Sequence, residues 1–186
     1  AVILTHGHID HVASVVPVCG AHDVPAWIHP EDRYMMSDPE KALGRSIGMP
    51  LMGELTVGEP DDVRTLTDGA ELKLAGLDLS VAHAPGHTKG SVTFRMPESA
   101  DIPSVFFSGD LLFAGSIGRT DLPGGDMDEM LDSLGRVCLP LDDSTVVLSG
   151  HGPQTTIGQE RATNPYLRQV AAGLGLDPSS APRRGM

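Results

Sequence analysis

Aromatic side chains are scarce in this 186-residue chain: Phe, Tyr and Trp together make up 4% of it. A core with so few rings leans on Val, Leu, Ile, Met and Ala, and an apolar content of 40% is enough to build one. Cysteine is scarce as well. Cys19 and Cys138 stand far apart in no metal or redox spacing. Two buried free thiols in a reducing cytoplasm are expected, with one disulfide as the alternative. Positive charge is the third shortage, since 13 Lys and Arg face 25 Asp and Glu, for a net charge of −12. Nucleic acid and anionic membranes attract basic surfaces, so neither is expected as a partner. A small anionic substrate stays open, because metal ions in a cleft invert the local field. No run of 18 apolar residues occurs, so no membrane-spanning helix is expected, and no secretory leader is legible. Internal repeats and low-complexity blocks are also lacking.

What the chain does have is turns, with 22 Gly and 15 Pro, and one dense polar stretch, Thr5-His6-Gly7-His8-Ile9-Asp10-His11. Imidazole and carboxylate are the usual ligands of zinc and similar divalent ions. Three histidines and an aspartate within six positions, directly after the apolar run 1–4, read as a metal-binding loop at a strand end.

The remaining pattern reads as mixed α and β structure. A helix is expected over 17–21 with Pro17 at its start, and a strand over 26–28. Helical turns are expected over 30–36. The stretch 37–62 has little period and reads as a long surface loop with one helical turn, of the kind that serves as a substrate flap. Met35, Met36, Met49 and Met52 are expected to pack within it. Asp68-Gly69 predicts a hairpin between strands 63–66 and 71–74. Further strands are expected over 77–84, 91–96, 104–107 and 145–148. Asp126 can cap a helix over 127–138, with an apolar stripe at Met127, Met130, Leu131, Leu134 and Val137. A final helix over 156–173 is expected to break near Asn164-Pro165. Residues 1–174 form one expected domain, and 175–186 a flexible C-terminal tail.

These strands share an ending. Pro85-Gly86 runs into His87, Ser108-Gly109 into Asp110, and Ser149-Gly150 into His151, as Leu4-Thr5 runs into His6. Strand ends at one edge of a core would gather these groups. His6, His8, Asp10, His11, His87, Asp110 and His151 are too many ligands for one tetrahedral ion. They suit two, if one carboxylate bridges.

The His-x-His-x-Asp-His segment at 6–11, followed in order by His87, Asp110 and His151, resembles the metallo-β-lactamase superfamily. Within it, the stretches 108–125 and 150–167 are most similar to the glyoxalase II-like group of hydroxyacylglutathione hydrolases. The resemblance implies an α+β fold, the αββα sandwich with its metals at one edge between two sheets. It implies one ion on His6, His8 and His87, a second on Asp10, His11 and His151, and Asp110 between them. The ions would be zinc first, with iron or manganese as alternatives. The implied activity is hydrolysis of a small hydroxyacyl thioester by a metal-bound hydroxide that Asp10, the catalytic carboxylate, orients.

Members of that family carry further N-terminal strands and, in glyoxalase II, a C-terminal helical extension, so this chain is expected to be short at both ends. Arg119 stands where a glutathione-binding Lys is found, and can grip a substrate carboxylate. Asp121 and Pro153 replace tyrosines that contact substrate. Glutathione is therefore one thiol carrier among several. The alternative is a mono-iron persulfide dioxygenase using His6, His87 and Asp110, and a third reading is a degenerate scaffold without metal. A zinc β-lactamase is disfavoured, because the common ones lack the carboxylate of Asp110. His22, His29 and His83 are expected to be structural, and Arg161 and Asn164 to fix the last helix.

Overall fold

The computed structural model describes residues 1–44 and 57–175. The first sheet has three parallel strands in the order β1 (Val2–Ile3), β2 (Ala26–Ile28), β3 (Val63–Thr65). The second has six: β4 (Glu71–Leu74), β5 (Leu77–His83), β6 (Val92–Met96), β7 (Val105–Gly109), β8 (Val146–Ser149) and β9 (Thr155–Thr156), in that spatial order. Its pairs are antiparallel except for β7 with β8.

Strand alternation builds the layers. On β2, Ala26 and Ile28 face a cluster with Val12, Val15, Cys19 and Met36, which covers the outer side of the first sheet. Trp27, between them, joins Ile3 and Phe107 against Leu66, Leu79, Val81 and Phe94, and that cluster fills the space between the sheets. On β7, Phe107 points inward while Phe106 packs outward on Met130, Leu134, Ile157 and Leu167. Helices thus cover both outer faces, and the αββα sandwich follows.

The helices are α1 (Ile9–Val12), α2 (Val15–His22), a 3₁₀ segment (Pro30–Met36), α3 (Pro39–Leu43), α4 (Met127–Ser133), α5 (Ile157–Thr163) and α6 (Pro165–Gly173). Helix α2 begins two residues before Pro17, which sits in the first turn, where a missing N–H breaks no bond. Helix α4 is capped by Asp126, which accepts from the Asp128 and Glu129 N–H groups, and it passes into a π-helical turn, Leu134–Cys138. Of its expected stripe, Met127 is 42% exposed while Met130 and Leu134 are fully buried. Asn164 ends α5, caps α6, and donates to the carbonyls of Phe113 and Ser116. Arg161 is buried on Asp143 and the carbonyls of Leu139 and Leu141. Both hold the C-terminal helices in place, as expected. Cys19 and Cys138 are buried free thiols. Among the described residues, no helix is long and apolar enough to cross a membrane.

The expected hairpin does not form. Asp68-Gly69 closes no hairpin: β3 pairs in parallel with β2, and β4 pairs with β5. The turn residues are used, since Gly69 has φ 71° and the Asp68 carboxylate accepts the His83 N–H at 2.8 Å. They carry the chain from one sheet to the other. A turn signal reports the local bend, whereas the partner of β3 is chosen by the apolar surface of β2. The loop expected over 37–62 contains α3, and its tip, with Met49 and Met52, lies outside the described residues, as does the tail after Gly175. Met35 and Met36, expected to pack within the loop, are instead core residues, 1% and 2% exposed, because the 3₁₀ segment that carries them folds onto the first sheet's outer cluster.

Candidate metal centre

The Leu4 N–H bonds to the Trp27 carbonyl, and the Thr5 carbonyl accepts the Val92 N–H at 2.8 Å, so both sheets hold the root of the first loop. His6 and His8, two apart on extended backbone, turn to one side. His8 is the N-cap of α1, and that single helical turn brings Asp10 and His11 beside them.

The other ligands arrive where glycine lets chains touch. A Cβ on Gly86 (φ 131°) would lie 2.4 Å from the Met130 backbone, and one on Gly109 (φ 51°) 2.7 Å from Thr5. A Cβ on Gly150 would lie 2.3 Å from Asp110 Oδ1. His87, Asp110 and His151 follow these positions, and the structure brings all seven predicted ligands together.

His8 Nδ1 lies 2.8 Å from His87 Nε2, and His11 Nε2 lies 3.3 Å from His151 Nε2. Asp110 sits between the two pairs. Its Oδ2 is 3.5 Å from His87 Nε2 and 3.6 Å from His151 Nε2, and its Oδ1 is 3.5 Å from His11 Nε2. The Asp10 carboxylate is 3.1 Å from His151 Nε2. Among the described residues, three groups have their ligand atoms within 4.8 Å of one another: His6, His8, His87; His6, His11, Asp110; and Asp10, His11, His151.

The residues fit divalent cations. His6 Nε2 and Asp110 Oδ1 are buried without a hydrogen-bond partner, an expensive state for a polar atom that a cation would relieve. Burial, reinforced by neighbouring histidines, holds the His6 imidazole well below its ordinary pKa and lowers that of His8 to about 4. Burial also lowers His11, against the opposing pull of Asp10. These rings are neutral near pH 7, the form with a lone pair for a metal. The Asp110 carboxyl is pushed up by desolvation, and His87 and His151 oppose that shift.

Five of the seven, His8, Asp10, His87, Asp110 and His151, line a cleft of 470 Å³ whose apolar wall is Leu43, Phe113, Ile117 and Leu122. Other clefts, 290 Å³ beside Cys19 and 550 Å³ beside Leu131, contain no histidine. Arg119 lies on the cleft with its guanidinium in a two-point pair with Asp121, both bonds 2.7 Å. That pair holds the Asp121 carboxyl down to about 2. The Arg119 carbonyl is 2.7 Å from His87 Nδ1 and accepts its proton, leaving Nε2 free to face the site.

Three neighbours of these loops were not legible in the sequence: this backbone carbonyl, the buried Asp32, which accepts from the Gly7 N–H, and Thr88, whose hydroxyl donates to Asp32. No motif marks them. His83 bonds the Lys89 carbonyl and stacks on His29, outside the cluster, in line with a structural role.

A family model described as the metallo-beta-lactamase superfamily matches residues 1–151. The chain belongs to the metallo-β-lactamase superfamily. Members similar to it include an uncharacterised protein of Mycobacterium tuberculosis strain H37Rv, 46% identical over 173 residues (92% of this chain and 77% of the relative). Hydroxyacylglutathione hydrolase GloC of Haemophilus influenzae is 38% identical over 167 residues, 89% of this chain and 74% of the relative. Among solved structures, TTHA1623 in a di-iron-bound form is 42% identical with a TM-score of 0.73, covering 90% of this chain and 77% of that one. The B3 metallo-β-lactamase BLEG-1 is 39% identical with a TM-score of 0.74, covering 90% and 76%.

Proposed function

We propose that this member of the superfamily is a metal-dependent hydrolase of small thioesters. The observation that carries it is the joining of two ligand groups across one buried carboxylate, Asp110, on the floor of an apolar-walled cleft. In this reading His6, His8 and His87 hold one divalent ion, Asp10, His11 and His151 the other, and Asp110 both. Bound ions supply Lewis acidity, which polarises a carbonyl and makes water acidic near neutral pH.

The chain's own groups do the rest. Asp10, with its side chain 54% exposed, is placed to accept a hydrogen bond from an incoming water and orient it. Leu43, Phe113, Ile117 and Leu122 hold the apolar part of the substrate and keep bulk water away. A thiol of ordinary pKa, about 8.5, departs as thiolate without a protein acid. A substrate carboxylate reaches Arg119 by competing with Asp121. Zinc is the expected ion, with iron or manganese as alternatives, and the di-iron-bound TTHA1623 supports iron. Two buried free thiols fit a cytoplasmic setting. The expected partner is the small-molecule thioester, with no nucleic acid or membrane.

The likeness to GloC favours a hydroxyacyl thioester. The likeness to BLEG-1 supports a second reading, opening of a β-lactam amide at the same centre. Four ligands beyond the His6, His87 and Asp110 set count against a mono-iron dioxygenase.

The test is one panel on the metal-quantified chain: hydroxyacyl thioesters of glutathione and of smaller thiols, a chromogenic β-lactam, and oxygen uptake with a persulfide. Two ions per chain and thioester turnover without oxygen uptake are expected. One iron with oxygen consumption overturns the proposal in favour of a dioxygenase, and β-lactam turnover alone favours the second reading. A folded chain that takes up no metal indicates a scaffold. Asp110→Ala is expected to abolish turnover and lower the bound metal.

A further inference from the structure

Asp32 carries no exposed surface, lies on the 3₁₀ segment, and is not among the groups that face the cleft. Three donors converge on its carboxylate. The Gly7 N–H reaches Oδ2 at 3.0 Å, the Thr88 hydroxyl reaches Oδ2 at 2.6 Å, and the Gly90 N–H reaches Oδ1 at 2.8 Å. Gly7 is the residue between His6 and His8. Thr88 follows His87.

We propose that Asp32 is a positioning residue that clamps the His6–His8 loop to the His87 loop and so sets the metal affinity of that trio. The inference rests on reading His6, His8 and His87 as a metal site.

The two loops have separate origins. One leaves β1 in the first sheet, and the other links β5 to β6 in the second. A trio drawn from two sheets holds its shape only as well as the loops are registered to each other. A single carboxylate bonded to both fixes that register. It is a costly device, because a buried anion must be fully hydrogen-bonded to be tolerated. The surrounding residues meet that demand. A Cβ on Gly7 would lie 2.6 Å from the Asp32 carbonyl and 2.7 Å from Met35 Cβ, and one on Gly90 would lie 2.6 Å from the Asp32 carboxyl carbon. Side chains at 7 and 90 would push the N–H groups away, so glycine at both positions serves the clamp. The Thr88 hydroxyl also meets Ser91 Oγ at 2.7 Å, which holds it in place to donate.

Chemistry selects the carboxylate over its neutral analogue. Asparagine has one acceptor oxygen. Its amide NH₂ would face either the Gly90 N–H or the Gly7 and Thr88 donors, and donor would meet donor.

The experiment compares the full chain with Asp32→Asn and Thr88→Val. Zinc dissociation constants come from competition with a chromogenic chelator, ligand geometry from the visible spectrum of the cobalt(II)-loaded protein, and metal-free stability from thermal melting. Asp32→Asn is expected to weaken the tightest zinc site by about 10- to 100-fold, the usual range for a partner that holds a ligand in place, and to alter the cobalt spectrum. Thr88→Val, which removes one donor and keeps the shape, is expected to weaken it by a smaller factor. A folded Asp32→Asn protein with the parent zinc affinity and cobalt spectrum overturns the proposal, even if its metal-free form melts earlier. If Asp32→Asn does not fold, Thr88→Val decides, and an unchanged zinc affinity overturns it. A parent chain that binds no zinc or cobalt overturns the metal reading itself, which is a distinguishable failure.

Discussion

Gly150→Ala offers a test of how tightly the ligand positions are set. The glycine sits between β8 and His151 on backbone an alanine can adopt, since its φ is not in the left-handed region. Substitution should therefore not strain the chain, and by restricting the unfolded state it is worth up to about 1 kcal/mol in favour of folding. The trouble lies in front of it. The new methyl would sit 2.3 Å from Asp110 Oδ1 and 2.7 Å from His11 Cε1. Comfortable contact for a carbon is about 3.5 Å, so the Asp110 oxygen must retreat by about 1 Å and the His11 ring by nearly as much. Misplacement of about 1 Å is enough to lower turnover by about 100-fold, or about 2.7 kcal/mol of transition-state stabilisation. The expected result is a metal-free protein that melts within about 1 kcal/mol of the parent, binds metal more weakly, and shows kcat/KM down by about two decades. Chelator competition, thermal melting of the metal-free form and steady-state hydrolysis measure the three quantities. Parent-level metal affinity and activity in Gly150→Ala would refute the claim that this contact sets the position of Asp110 and His11.

Acid should destabilise the metal-free fold. His6 and His8 have folded pKa values below the ordinary imidazole value of about 6.5, that of His8 about 4, so below pH 6.5 the unfolded chain binds protons that the folded chain refuses. Stability is then lost as the pH falls from 6.5 towards 4, and denaturant midpoints at pH 7.5 and pH 5 should differ in that direction; equal midpoints contradict it. Metal should leave over the same range, because protons compete for the same nitrogens. Glu160→Gln should destabilise the fold by about 1–3 kcal/mol, read by melting, because the 1%-exposed carboxylate accepts from the Gly115 N–H, the Thr155 hydroxyl and the Asn164 amide. Asp121→Ala frees the Arg119 guanidinium, so KM should fall several-fold for thioesters carrying a carboxylate and stay unchanged for neutral ones. An equal change for both would show that Arg119 does not select charge.

The difference between what was legible and what was not has a physical source. Ligand identity is a property of single residues. Histidine and aspartate clustered at several strand ends announce metal chemistry, and alternation along β5 announces which side faces the core, whereas β2 and the start of β7 are apolar on both faces and only packing tells the faces apart. Ligand position is a property of contacts between distant segments. Asp32 is one acid among 25 acidic residues, and nothing in Pro30-Glu31-Asp32-Arg33 distinguishes it until Gly7, Thr88 and Gly90 are folded onto it. The misplaced hairpin has the same origin, since Asp68-Gly69 encodes a bend while the pairing of β3 depends on β2, some forty residues away. Glycines connect the two kinds of information. Gly7, Gly90, Gly109 and Gly150 stand within a few residues of the ligands, and a methyl on any of them would strike Asp32, Met35, Thr5, His11 or Asp110. A glycine beside a ligand type is a visible signal that another chain segment passes there. Its spacing does not say which segment. The centre is therefore specified twice, once by residues that can bind a metal and once by residues small enough to let them meet.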